Sequence, residues 1–214
     1  MTRIVCISDT HLRHSISIPD GNMLLHAGDA TFRGTEEEVS EFARWYSSFP
    51  HAVKVFVAGN HDWGFEKRPE HFREILEDKG IIYLQDQSAT LFGLNVYGSP
   101  WQPTFFDWAF NLDRGDDIKE KWDQIPDSTD VLITHGPPKG ILDRTLAREM
   151  RPPQSVGCWD LKERVTKLSN LKLHVFGHIH PGYGIEKQGG VTFVNASICN
   201  EDYKPVNAPI VIDL

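Results

Sequence analysis

Five apolar runs in this chain each stop at a cluster of Asp, His or Asn. Residues 3–9 (RIVCISD) run into Asp9-Thr10-His11, and residues 23–29 (MLLHAGD) end on Asp29. Residues 52–58 (AVKVFVA) lead to Gly59-Asn60-His61-Asp62, residues 131–134 (VLIT) to His135, and residues 172–176 (KLHVF) to Gly177-His178-Ile179-His180. Short, nearly continuous apolar runs are the signature of buried strands. In α/β sheets the crevice beyond the carboxyl ends of the strands is where ligands bind. The pattern therefore predicts a sheet edge loaded with polar side chains.

The segments between these runs predict the rest of the architecture. Thr35 and Glu38 form a capping box, and Val39, Phe42, Ala43 and Tyr46 follow at helical spacing. A second helix is expected from Pro69, with Phe72, Ile75 and Leu76 inward and a stop at Gly80. Residues 81–98 read as three short antiparallel strands. Residues 99–130 read as a long loop with one short helix from Asp116 to Trp122, and residues 137–157 as a surface excursion. A helix over 160–168 and strands at 183–187, 191–195 and 209–213 complete the reading. One two-sheet α/β domain over 1–214 accounts for these elements.

The ligand types point to a metal. Asp9 with His11, and His178 with His180, stand two apart, so in extended backbone each pair shares a face and grips one object. Glycines at 28, 59, 136 and 177 let the backbone approach a ligand closely. Imidazole, carboxylate and amide oxygen without cysteine argue against a structural zinc site and suit two divalent ions drawn from Mn, Fe, Zn or Co, with Mn the expected activator in vitro. Seven candidates (Asp9, His11, Asp29, Asn60, His135, His178 and His180) are too many for one ion and fit two that share a bridging carboxylate. Such a pair clamps the attacking and leaving oxygens of an in-line displacement, and a phosphate ester suits its charge. His26, His51, His71 and His174 are expected to be satisfied core residues instead.

Composition narrows the partner. The net charge is −8, with 30 acidic against 22 basic residues. Binding of long nucleic acids rests on Lys and Arg neutralising phosphates, so a small phosphate-ester substrate is expected rather than a polymer. Three scattered cysteines do not make a disulfide framework. The apolar run at the N-terminus is too short for a signal peptide and no segment is long enough for a membrane span, so a cytoplasmic protein without a membrane partner is expected. The oligomeric state is not legible.

At these residues the chain resembles the calcineurin-like metallophosphoesterase superfamily, whose motifs DxH, GDxxxxG, GNH[DE], a lone His and GHxH stand here as Asp9–His11, Gly28–Gly34, Gly59–Asp62, His135 and Gly177–His180. The resemblance implies a four-layer α/β/β/α sandwich with two mixed sheets flanked by helices. It implies that Asp9, His11 and His180 hold one metal and Asn60, His135 and His178 the other, with Asp29 bridging. It further implies that His61 faces the phosphate and stabilises or protonates the leaving oxygen. Asp62 would orient His61, although it could equally cap the following turn. HAGD, GSPWQP and HGPPKGILD are similar to the metallophosphoesterase-domain-containing (MPPED-like) branch, some of whose members lack the first His of GHxH and are weak catalysts; this chain retains His178. That branch suggests nucleotide-like phosphodiesters, including cyclic nucleotides, as substrates. A phosphomonoesterase or a weakly catalytic nucleotide-binding protein with the same metal site is the alternative. Asn60, His61 and Trp101 are expected to touch substrate. Trp101, Phe105, Phe106 and Trp108 could stack a base, or simply cover the second sheet.

Overall fold

The computed structural model describes residues 1–147 and 152–214. Part of the predicted excursion, residues 148–151, lies outside the described residues.

The first sheet has the order β13-β1-β2-β3-β4. Strands β1 (Arg3–Ile7), β2 (Met23–His26), β3 (Val53–Phe56) and β4 (Ile82–Tyr83) run parallel, and β13 (Ile210–Asp213) lies antiparallel to β1. The second sheet has the order β11-β12-β10-β9-β6-β5. Its inner strands β6 (Leu94–Ser99), β9 (Val131–Thr134), β10 (Leu173–Phe176) and β12 (Val191–Asn195) are parallel. Its edges β5 (Gln87–Leu91) and β11 (Gly184–Gln188) are antiparallel to their neighbours. Both sheets are mixed.

Three apolar clusters make this a four-layer sandwich. The two-residue period of a strand sends alternate side chains to opposite faces. In β1, Val5 and Ile7 pack with Phe42, Tyr46, Phe72 and Leu76 from helices α1 (Glu36–Ser47) and α3 (Pro69–Glu77). The alternate residues Ile4 and Cys6 meet Val131, Ile133 and Val175 of the other sheet. On the far face, Leu132, Phe176 and Phe193 are covered by Ile118 and Trp122 of α4 (Asp116–Asp123) and by Leu161 and Val165 of α5 (Trp159–Val165). The Thr35 hydroxyl accepts the Glu38 N–H, as the capping box requires.

Register delivers the site. Ile7 pairs with His26 and His26 with Phe56, so the carboxyl ends of β1, β2 and β3 lie level. A parallel bridge between Ser8 and Ser197 joins the two sheets at that end.

The structure departs from the sequence reading in four places. Of the three runs in 81–98, the first (β4) joins the first sheet parallel to β3, while the other two form a β5–β6 hairpin in the second sheet. Spacing alone suggests a hairpin; the helical crossover over residues 63–77 makes parallel pairing available. A short helix α2 (Trp63–Lys67) follows Asp62 directly. The 99–130 segment contains a two-stranded parallel ladder, β7 (Gln102–Pro103) with β8 (Asn111–Leu112), besides α4. His71 is not a core residue: its side chain is 39% exposed and bonds Glu36 at 2.9 Å.

Candidate metal centre

Two groups of ligand-type atoms assemble beyond the strand ends. Asp9, His11 and His180 form one; Asp29, His135 and His178 form the other; within each, the ligand atoms lie within 4.8 Å of one another. A third grouping, His11, Asp29 and His61, overlaps both. Asp29 Oδ2 is 3.3 Å from His135 Nε2 and 4.0 Å from His11 Nε2, so this carboxylate stands between the groups. Asn60 Oδ1 is 2.9 Å from His135 Nε2, which adds an amide oxygen to the second group.

The backbone achieves this convergence through left-handed turns, which corrects the extended-pair reading. Asp9 has φ 52°, His11 φ 42°, Asp29 φ 55° and His178 φ 66°. Non-glycine residues adopt this region at a cost of order 1–3 kcal/mol each, and such strain collects at functional sites. His178 and His180 consequently serve different groups, His178 with Asp29 and His135 and His180 with Asp9 and His11. Gly59 and Gly177 are required by close approach. A Cβ at Gly59 would collide with the Asp29 carboxylate, and one at Gly177 with the Asp9 carboxylate.

The histidine tautomers follow from their outer partners. Nδ1 of His11 faces the Thr31 carbonyl at 3.2 Å, that of His135 the Ala27 carbonyl at 2.8 Å, and that of His180 the Asn200 carbonyl at 3.0 Å. A carbonyl only accepts, so each Nδ1 carries a proton and each Nε2 points at the centre, where the neutral ring offers a lone pair. Metal-ligating histidines are oriented in this way by their outer hydrogen bond. His11 Nε2 is buried with no hydrogen-bond partner, which is costly unless something occupies its lone pair. The donor set fits a divalent ion.

The protein's own charges divide the histidines, and His180, where burial is outweighed by Asp9, is held up at about 9. Burial pushes His11 down to about 4 and His178 down to about 3, so both stay neutral. Burial also opposes charge on His135, but Asp29 and Asp9 outweigh it and hold it at about 9. Burial alone would raise Asp29, yet His135, His61 and His11 keep its carboxyl well below the usual carboxylate range.

Outer braces hold the frame. His26 Nδ1 accepts the Gly28 N–H at 3.2 Å, which leaves Nε2–H to donate to the Thr10 hydroxyl at 2.9 Å, between two ligand positions. His174 Nε2 lies 2.9 Å from the Thr134 hydroxyl, which itself donates to the Gly136 carbonyl at 2.8 Å. Thr134 immediately precedes His135.

Asp62 holds a different partner from the one the sequence reading gives it, and His61 is held by the main chain. His61 Nδ1 donates to the Phe32 carbonyl at 2.9 Å. Asp62 instead accepts the backbone N–H groups of Asp29 at 2.8 Å, Gly59 at 2.8 Å and Thr31 at 3.0 Å, and the Thr31 hydroxyl at 2.7 Å. It neither orients the His61 ring nor bonds the turn that follows. It ties the Asp29 loop to the Asn60 loop. Burial and the nearby Asp29 carboxylate push Asp62 up to about 6.

Aromatic rings rim the cluster. Trp108 lies 4.3 Å from His61 between ring centroids, Tyr203 lies 4.8 Å from His11, and Phe105 lies 6.1 Å from His178. Trp101 is committed elsewhere: its indole N–H donates to Asp86 at 2.8 Å and its ring packs on Phe110. Sequence reasoning did not single out Tyr203, Thr31, Asn195 or Ser197. Asn195 ends an apolar run as the ligands do, and that signal was available.

Calcineurin-like phosphoesterase is the family whose model matches residues 2–182. The chain belongs to that family. Metallophosphoesterase domain-containing protein 1 of Homo sapiens is 45% identical over 235 residues, covering 100% of this chain and 71% of the relative, and the Mus musculus protein matches to the same extent. A UPF0046 protein of Caenorhabditis elegans is 37% identical over 99% of this chain and 60% of its own length. A solved structure 15% identical superposes with a TM-score of 0.65 over 91% of this chain and 90% of that chain, a likeness of fold alone. As a calcineurin-like phosphoesterase, the chain is a metal-dependent hydrolase of phosphate esters. Among the described residues no helix is long and apolar enough to cross a membrane.

Proposed function

We propose that this phosphoesterase acts on small, nucleotide-like phosphodiesters, cyclic nucleotides included, with two divalent ions held by Asp9, His11 and His180 and by Asn60, His135 and His178, and with Asp29 shared. The observation that supports it best is the inward Nε2 of His11, His135 and His180, each fixed by an outward Nδ1–H on a backbone carbonyl. Bound there, the ions supply Lewis acidity to phosphoryl oxygens and bring the pKa of a water towards about 7.

The chain's own groups do the rest. The shared Asp29 is fixed by the His61 N–H at 2.8 Å, which keeps its carboxylate aimed between the two groups. His61, its Nδ1–H engaged by Phe32, has Nε2 left for the leaving oxygen, which the imidazolium form protonates. Trp108 and Tyr203 supply flat apolar faces beside His61 and His11, suited to the organic part of a nucleotide-like ester. A cytoplasmic setting belongs to the same proposal and is supported by three unpaired, buried cysteines.

The test is turnover of bis-p-nitrophenyl phosphate, 2′,3′- and 3′,5′-cyclic nucleotides and monoesters at fixed Mn, with and without chelator. Chelator-sensitive hydrolysis of the diesters above the monoesters is expected. Faster monoester turnover would move the reading to a phosphomonoesterase. Tight nucleotide binding by metal-loaded protein without hydrolysis of any ester would replace catalysis with binding.

A further inference from the structure

Asn195 and Ser197 lie fully buried at the end of β12, beyond the last recognised motif. The Asn195 amide Nδ2 donates to the Ile179 carbonyl at 2.9 Å and to the Leu142 carbonyl at 3.2 Å. Both partners are acceptors, so the amide orientation is fixed and Oδ1 faces Ser197, whose N–H it accepts at 3.2 Å. The Ser197 hydroxyl has a carboxylate oxygen of Asp9 at 2.8 Å and Asn195 Oδ1 at 2.8 Å. It has one proton to give. A charge-assisted bond is the stronger, so the proton goes to Asp9. The His178 N–H is shared between the two Asp9 oxygens, at 3.0 Å from Oδ2 and 3.1 Å from Oδ1, so the Ser197 hydroxyl is what distinguishes them.

This network touches two groups of ligands from behind. Ile179, whose carbonyl Asn195 holds, is the residue between His178 and His180. Asp9 Oδ2, which Ser197 holds, is thereby occupied, and Asp9 Oδ1 is the oxygen that faces His180 Nε2 at 3.2 Å. We propose that Asn195 and Ser197 are positioning residues: Ser197 sets which Asp9 oxygen faces the ion shared with His11 and His180, and Asn195 sets the His178–Ile179–His180 turn. The proposal rests on the reading of the cluster as a dinuclear metal centre. Partners of this kind typically change metal affinity by about 10–100-fold when removed.

The experiment is calorimetric titration of Mn into chelator-treated protein, with the melting temperature of the metal-free protein measured alongside. Ser197→Ala should weaken one of two Mn equivalents about 10–100-fold and leave the other within about threefold. Ser197→Thr, which keeps the hydroxyl, should restore it. Ser197→Cys, close in size but a weak donor, gives the same reading if the alanine variant fails to fold. Asn195→Asp, which cannot donate to Ile179, should weaken both equivalents. Two Mn equivalents bound by Ser197→Ala and Ser197→Cys with unchanged affinity would overturn the proposal. So would equal weakening of both, with a lowered metal-free melting temperature and no rescue by Ser197→Thr. Because the titration uses no substrate, the selective shift in a protein that hydrolyses no ester would leave the positioning role standing and remove only the phosphodiesterase reading.

Discussion

His61 is held by Phe32, through a 2.9 Å bond from Nδ1 to the main-chain carbonyl, and not by the carboxylate next to it in sequence. Asp62 spends its oxygens on the N–H groups of Gly59, Asp29 and Thr31. The two neighbours should therefore fail in different ways when removed. His61→Ala is expected to keep both metals and its melting temperature and to lose about 100-fold or more in turnover. Asp62→Ala leaves several buried donors without partners, each costing about 1–3 kcal/mol, so it should lose stability first and metal with it. Metal content, thermal melts and rate on the same preparations separate the two. A melting temperature of Asp62→Ala matching that of the parent would refute the bracing role.

Asp29 is the hinge of the metal assignment, since one carboxylate oxygen faces ring nitrogens of both groups, His11 at 4.0 Å and His135 at 3.3 Å. Asp29→Ala should bind less than one divalent ion per chain under conditions where the parent binds two, with activity lost in step. Elemental analysis after dialysis checks this. Two ions retained in the variant would show that the carboxylate is not shared.

The sequence exposed the inward-facing ligands because each one follows directly on an apolar run, where burial and chemistry meet in a few residues. What it hid was contributed by backbone or by side chains distant in the chain. The Phe32 carbonyl that orients His61 has no residue signature at all. Asp62 looks like a partner for His61 because they are adjacent, while its partners are the Gly59 N–H three residues back and the Asp29 and Thr31 N–H groups 33 and 31 residues away. The two-residue spacing of Asp9 and His11 was informative although its geometric reason was wrong: left-handed turns, not extended backbone, turn both inward. β4 was misplaced because an isoleucine and a tyrosine fit either sheet, and only the crossover decides between them.

Trp108 and Trp101 offer a contrast within one loop. Trp108 lies against His61, whereas the Trp101 indole is bound to Asp86 and packed on Phe110. If Trp108 carries the organic part of the substrate, Trp108→Leu should raise KM for a cyclic nucleotide about 10-fold, since base–aromatic stacking is worth about 1–3 kcal/mol. The KM for a small alkyl phosphodiester should hardly change. Trp101→Leu should lower the melting temperature and leave the KM ratio of the two substrates alone. Equal KM changes for both substrates in Trp108→Leu would remove the stacking role.

His174 supplies a pH test free of the metal ligands. Burial pushes it down to about 3, and the neutral ring donates to Thr134. A histidine whose folded pKa lies below its ordinary value favours the fold when neutral. Its contribution is thus complete above about pH 6.5 and is lost as pH falls towards about 3, at up to about 1.4 kcal/mol per pH unit. His174→Gln keeps a side-chain donor and removes the titration. Metal-free parent protein should therefore lose stability between pH 6.5 and 4.5 more steeply than the variant, by about 2–3 kcal/mol over that interval. His26, pushed down to about 3 chiefly by burial, titrates in both proteins and cancels from the difference. Urea unfolding at several pH values measures the two slopes, and parallel curves would show that His174 is not forced to stay neutral by the fold.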